Sequence, residues 1–323
     1  MMLALYFLIL VVGFVFLIKG ADLLVEGASA IAKNLKISDL VIGLTVVAFG
    51  TSAPELMVSV LSNIRGDSEM AIANILGSNI ANIWLILGAT AVIYPLKVVG
   101  STVWKEIPFG LLAVVLLAIL ASDALIDGQT FSVLSRIDGL VLLAFFVIFL
   151  YYTFGLTRRG EDKHSEAEKV EKMPWFKALI FVLLGLIGLG VGGKLVVDNA
   201  ISIAQFFGVS STLIGLTIVA LGTSLPELVT SVIAAFKKKA DIAVGNVVGS
   251  NIFNVFMVLG VSSTIGPLVF QNRNLIDAGI AILAGLSLFI FLFLGKRHLL
   301  QKWQGVAFLI FYFSYITFSV YLG

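Results

Sequence analysis

Ten apolar runs of roughly membrane-spanning length recur along this chain, near residues 3–27, 38–62, 70–95, 106–122, 137–156, 176–200, 210–236, 241–266, 275–295 and 303–322. At about 1.5 Å of rise per residue, roughly 20 helical residues cross the hydrocarbon core of a bilayer. Backbone polar groups in lipid must be satisfied within the segment itself, so runs of this kind become helices. Composition agrees: 59% of the 323 residues are hydrophobic and 12% are charged, with a mean hydropathy of +1.09. The sequence therefore predicts an all-α polytopic membrane protein of ten transmembrane helices joined by short loops, with the bilayer as its main partner. The first run lacks a basic n-region and a small-residue cleavage site, so it reads as a retained span.

Several function classes fall away. A net charge of +2 gives no footprint for nucleic acid. With no cysteine, disulfides, thiolate metal sites and Cys nucleophiles are excluded. The histidines are only His164, in a polar stretch, and His298, at the end of a run, which argues against a zinc or copper site. No P-loop, HExxH or nucleophile elbow is present, so the expectation is a protein that is not an enzyme, needs no cofactor and shows no obligate protein partner.

The one long polar stretch, from Arg158 to Lys172, separates five runs from five. The organisation expected is a first five-helix unit over 1–157, a linker over 158–174 and a second unit over 175–323. With the N-terminus outside, 16 of the 21 basic residues flank inner ends and only Arg65, Arg136 and Arg273 flank outer ones, Lys19 and Lys194 being within spans. The positive-inside rule thus predicts a cell-membrane protein with both termini outside and the linker cytoplasmic.

The two halves repeat each other. Residues 43–88 align without a gap on 215–260, with 22 of 46 positions identical. Apolar matches carry little weight, but the polar identities include Thr51/Thr223, Ser52/Ser224, Glu55/Glu227, Asn74/Asn246, Ser78/Ser250, Asn79/Asn251 and Asn82/Asn254. Five spans per half is an odd number, so the second copy enters the membrane from the other side. Such inverted repeats build many secondary transporters, whose substrate sites lie near the midplane between the repeats. A channel is also compatible with this arrangement.

Glu55 and Glu227 fall in the middle of their runs, where a carboxylate costs at least about 2.5–3.5 kcal/mol to insert. Such a residue is functional by default, either protonated or paired with a cation. Pro54 and Pro226 precede them, so GTSAPE and GTSLPE read as deliberate helix breaks that loosen the carbonyls around Gly50 and Gly222. At helical spacing Thr51 and Glu55 would share a face. Asn74, Ser78 and Asn82, and likewise Asn246, Ser250 and Asn254, form polar stripes at every fourth residue, with Gly77 and Gly249 allowing close helix approach. Taken singly, Ser, Thr and Asn in membrane helices more often join helices than bind ions. Together with two carboxylates they make an all-oxygen set suited to Ca2+, which takes 6–8 oxygens at about 2.3–2.6 Å, or to Na+.

With both GTSxPE motifs and both GSNIxN motifs in place, the sequence resembles the calcium:cation antiporter superfamily, most closely its prokaryotic sodium/calcium exchanger-like members. The resemblance implies an inverted pair of five-helix repeats in which the first and sixth helices slide across the other eight. It implies that Glu55 and Glu227 are carboxylates shared by transported Ca2+ and Na+, with Thr51 and Thr223 completing the calcium site through backbone oxygen. Sodium sites would draw on the Ala48 carbonyl, Ser52 and Ser78 in one half and on the Ala220 carbonyl, Ser224 and Ser250 in the other. Asn82 and Asn254 would orient or hydrate the centre. Several members carry aspartate where Asn254 stands, so a possible third carboxylate is lost here. The function expected is Na+/Ca2+ antiport by alternating access; H+-coupled antiport is the alternative, with a channel behind it.

Overall fold

The computed structural model describes residues 2–126, 128–159, 173–209 and 220–322. Besides a single turn at Asp123–Ile126, its helices are α1 (Met2–Leu35), α2 (Asp39–Thr51), α3 (Ala53–Ile64), α4 (Ser68–Ile93), α5 (Gly100–Leu120), α6 (Arg136–Arg159), α7 (Trp175–Phe206), α8 (Ala220–Gly222), α9 (Leu225–Phe236), α10 (Ala240–Ile265), α11 (Asn272–Phe291) and α12 (Lys302–Leu322). Among the described residues, eight helices are long and apolar enough to cross a membrane, and nine if α2 and α3, bent by 43°, make one broken span. The seventh expected run begins in residues 210–219, which lie outside the described residues, as do residues 160–172 of the linker expected over 158–174. The described part of that run comprises the single turn α8 and α9, a 12-residue apolar helix.

The helices differ widely in how far they are buried. The central part of α10 lies wholly inside the bundle and that of α4 largely so, while α1 turns most of its surface outward. Leu5, Leu8, Val11 and Val15 of α1 are among the exposed apolar side chains, as expected of a face covered by lipid. Helix α1 continues to Leu35, past the end of its apolar run, and stops where Lys36 takes a φ of +57°.

The chain is mostly helical, as expected, and four short strands of two or three residues are present besides among the described residues. β1 (Leu96–Lys97) pairs antiparallel with β4 (Leu299–Leu300), and β2 (Ser132–Leu134) with β3 (Leu268–Phe270). The helices are joined by loops too short to be solvated throughout, and Leu96, Leu134, Leu268 and Leu300 are fully buried. Their backbone groups therefore need partners, and a neighbouring loop supplies them. Each ladder ties a loop of the first half to a loop of the second.

Helices α1 and α7 meet backbone to backbone. A Cβ added at Gly20 would lie 2.7 Å from the Leu189 nitrogen, one at Gly185 2.7 Å from that of Leu24, and one at Gly192 2.6 Å from that of Leu17. Gly188 faces Gly20 in the same seam. Gly190 meets nothing within 4 Å and Gly193 reaches only Pro226, so the five glycines of this run do not form one surface. Two further buried acids are tied to the next helix: Tyr152 donates to Glu106 Oε1, and Tyr315 donates to Asp277 Oδ1 at 3.1 Å.

Candidate cation site

The two GTSxPE segments break where they were expected to, although the break falls at the serine. Ser52 leaves the helical region with φ −82° and ψ 4°, and Ser224 does the same with φ −85° and ψ 2°. Each proline then sits in the first turn of the following helix, where its missing N–H costs nothing. Glu55 and Glu227 fall in those same first turns, where the positive helix end favours a carboxylate.

This break overturns one expectation. Thr51 and Glu55 do not share a helix face, because they belong to different helices. The Thr51 hydroxyl instead donates to Asn246 Oδ1 at 3.0 Å, and the Thr223 hydroxyl to Asn74 Oδ1 at 3.1 Å. Each threonine thus reaches into the other repeat. Asn74 in turn donates to Ser59 Oγ at 3.2 Å, and Asn246 to Ser231 Oγ at 3.1 Å.

Both glutamates are completely buried. Glu55 Oε1 accepts from Ser78 Oγ at 3.3 Å; Glu227 Oε1 accepts from Ser250 Oγ at 3.4 Å and, across the repeats, from Ser52 Oγ at 3.2 Å. Ser224 donates to Ser78 Oγ at 3.0 Å, and Asn254 Nδ2 lies 3.2 Å from the same oxygen. Asn82 sits on α4 one turn beyond Ser78, at the start of a widened π-helical stretch over Ala81–Leu87; Asn254 occupies the equivalent place in Phe253–Leu259. Such stretches often mark functional positions.

Ala48 lies in the last turn of α2, its carbonyl accepting from the Ser52 N–H at 3.0 Å. That carbonyl is therefore not freed by the proline. Ala220 opens α8. Gly249 allows the expected close approach, its added Cβ falling 2.8 Å from the Leu44 carbonyl, whereas no described atom lies within 4 Å of one at Gly77.

Four buried oxygens in this cluster have no hydrogen-bond partner among the described residues: Glu55 Oε2, Glu227 Oε2, Asn82 Oδ1 and Asn254 Oδ1. A buried polar atom left unpaired costs about 1–3 kcal/mol, more if charged. That the four come as two repeat-related pairs makes accident a poor explanation. Among the described residues no group of three or more His, Cys, Asp or Glu side chains could hold a metal, so any cation here would rest on two carboxylates and neutral oxygens.

Residues 5–155 and 177–321 match the family described as sodium/calcium exchanger protein. The chain is 40% identical over 300 residues to CaxA of Alkalimonas amylolytica, covering 90% of this chain and 92% of that protein. It is 33% identical over 352 aligned positions to the sodium/calcium exchanger MaX1 of Methanosarcina acetivorans, covering 99% and 100%. The structure superposes on that of the sodium-calcium exchanger NCX_Mj soaked with Na+ and Sr2+ with a TM-score of 0.82, at 35% identity and over 98% of this chain and 99% of the other. The chain belongs to the sodium/calcium exchanger protein family.

Proposed function

We propose that this protein exchanges Na+ for Ca2+ by alternating access at one site built around Glu55 and Glu227. The observation that carries the reading is the set of four buried, unpartnered oxygens. They are hard donors with no proton donor among the described residues to satisfy them, which is the chemistry a desolvated Ca2+ or Na+ requires. Thr51 and Thr223 would add backbone oxygen. The Ala48 and Ala220 carbonyls, with Ser52, Ser78, Ser224 and Ser250, would serve flanking Na+. Two ionised glutamates balance one Ca2+, so loading the same oxygens with Na+ displaces it.

The ten-span, inverted-repeat plan with both termini outside is part of this proposal. In support, loops expected on one side meet each other. β1 and β4 join the inner loops after the third and ninth runs, while β2 and β3 join the outer loops after the fourth and eighth. Lys33, Lys177, Lys237 and Lys239, all expected inside, line one cavity of about 450 Å3. There Lys237 pairs with Asp22 at 2.6 Å and Lys239 with Asp39 at 3.2 Å. A reporter fused after Gly323 is expected outside the membrane; a cytoplasmic signal would reject the orientation.

The test of function is a gradient swap in proteoliposomes. An imposed Na+ gradient is expected to drive 45Ca2+ flux, and a pH gradient without Na+ is expected to leave it near background. Flux that follows the pH gradient and ignores Na+ would establish proton coupling instead. Flux that needs no counter-ion would establish a channel.

A further inference from the structure

Four asparagines on α4 and α10 form a closed set in which only some members belong to the site above. Asn79 Nδ2 donates to the main-chain carbonyl of Asn251 at 3.3 Å, and Asn251 Nδ2 to that of Asn79 at 3.4 Å. A main-chain carbonyl can only accept, so each amide must turn its nitrogen toward the other backbone. Its oxygen is thereby turned the other way. There Asn251 Oδ1 accepts from Asn82 Nδ2 at 2.8 Å, and Asn79 Oδ1 accepts from Asn254 Nδ2 at 3.0 Å. The free ends of the chain of amides are Asn82 Oδ1 and Asn254 Oδ1.

We propose that Asn79 and Asn251 are positioning residues that fix the amide polarity of Asn82 and Asn254, so that both present oxygen and not N–H to the transported cation. The inference rests on the cation reading of the site and names what makes that site selective for a positive ion. An amide is nearly symmetric in shape, so packing alone does not distinguish its oxygen from its nitrogen. Polarity has to be imposed, and here it originates in two backbone carbonyls and passes through one amide to the next; at Asn254 the Ser78 oxygen, whose own proton goes to Glu55, is a second acceptor, so Asn82 is the amide that depends on its neighbour alone. Without Asn251, the freed Asn82 N–H groups would turn toward the glutamate carboxylates. A cation would then have to break a charge-assisted hydrogen bond and find a donor where it needs an acceptor.

The experiment is 45Ca2+ exchange by the full-length protein in proteoliposomes, read as the half-saturating Ca2+ concentration. Asn251→Leu is close to isosteric and is expected to raise it about tenfold or more, from a charge-assisted hydrogen bond that Ca2+ must displace. A carboxylate offers oxygen whichever way it turns, so Asn82→Asp in the Asn251→Leu background is expected to restore most of the loss. Asn82→Asp alone is expected to weaken Ca2+, although it adds a negative charge, because it sets an acceptor against the fixed Asn251 oxygen. A double variant no better than Asn251→Leu, or a gain of affinity in Asn82→Asp alone, overturns the proposal. Should Asn251→Leu fail to fold, Asn82→Asp alone still decides it. Glu55→Gln is assayed beside these: if it exchanges like the unaltered protein, it is the cation site that fails, and not the amide argument.

Discussion

Glu55→Gln and Glu227→Gln are each expected to reduce Na+-driven 45Ca2+ exchange by at least about a hundredfold, since stranding a buried charge with half its compensation costs about 3–5 kcal/mol. Glutamine keeps the size of the side chain and one oxygen able to accept from Ser78 at position 55, or from Ser52 and Ser250 at position 227. What it removes is one of the two charges that balance Ca2+. The buried carboxylates are themselves unfavourable to the fold in the absence of an ion, so the variants are expected to unfold at the same temperature as the unaltered protein or higher. This separates lost chemistry from lost structure. Exchange within about threefold of the unaltered protein in either variant, a difference under roughly 1 kcal/mol, would remove that glutamate from the site.

The second large effect is expected at the α1–α7 seam. Gly185→Val and Gly192→Val place side chains where the nearest atoms are backbone nitrogens at 2.7 and 2.6 Å and backbone oxygens at 2.8 Å from the first added carbon. Backbone in the middle of a helix cannot yield as a side-chain tip does, so the two helices must separate. Overpacking of this kind costs about 1–3 kcal/mol even in softer surroundings. Both variants are expected to lower the unfolding temperature in detergent and to lose exchange. Gly190→Val lies on the same helix two residues from Gly192 and meets no described atom within 4 Å, so it is expected to behave as the unaltered protein. Equal behaviour of the Gly190→Val and Gly192→Val variants would show that the seam is not under this constraint.

These two cases also divide what could be read from the chain. Glu55 and Glu227 are visible in the sequence because the cost of inserting an acid depends on depth, and depth follows from counting residues along an apolar run. The seam is half visible: glycine density in α7 is plain, but which glycines touch α1 depends on how the two helices are rotated about their axes. Gly190 and Gly192 differ only in that.

The site shows the same division. The repeat identified Thr51, Ser52, Ser78, Asn82 and their mates, and all of the ones with described side chains lie in or beside the cluster. The i, i+4 argument for Thr51 and Glu55 failed because it assumed a continuous helix through a motif whose proline already announced a break. Asn74 and Asn246 stood on the polar stripe, yet their role as acceptors for Thr223 and Thr51 joins residues 149 and 195 positions apart. Asn79 and Asn251 stood among the repeated polar identities and within the two GSNIxN motifs, but off the stripe, so nothing in the sequence paired them with each other.

The sequence by itself determined the membrane class, the duplicated motifs and the two acids that a bilayer would not otherwise tolerate, because each follows from local length, depth and residue type. Only the tertiary structure decided which donor meets which acceptor. Ser, Thr and Asn can each serve as donor and acceptor, and nothing along one chain orients an amide until a backbone carbonyl from the other repeat is brought against it.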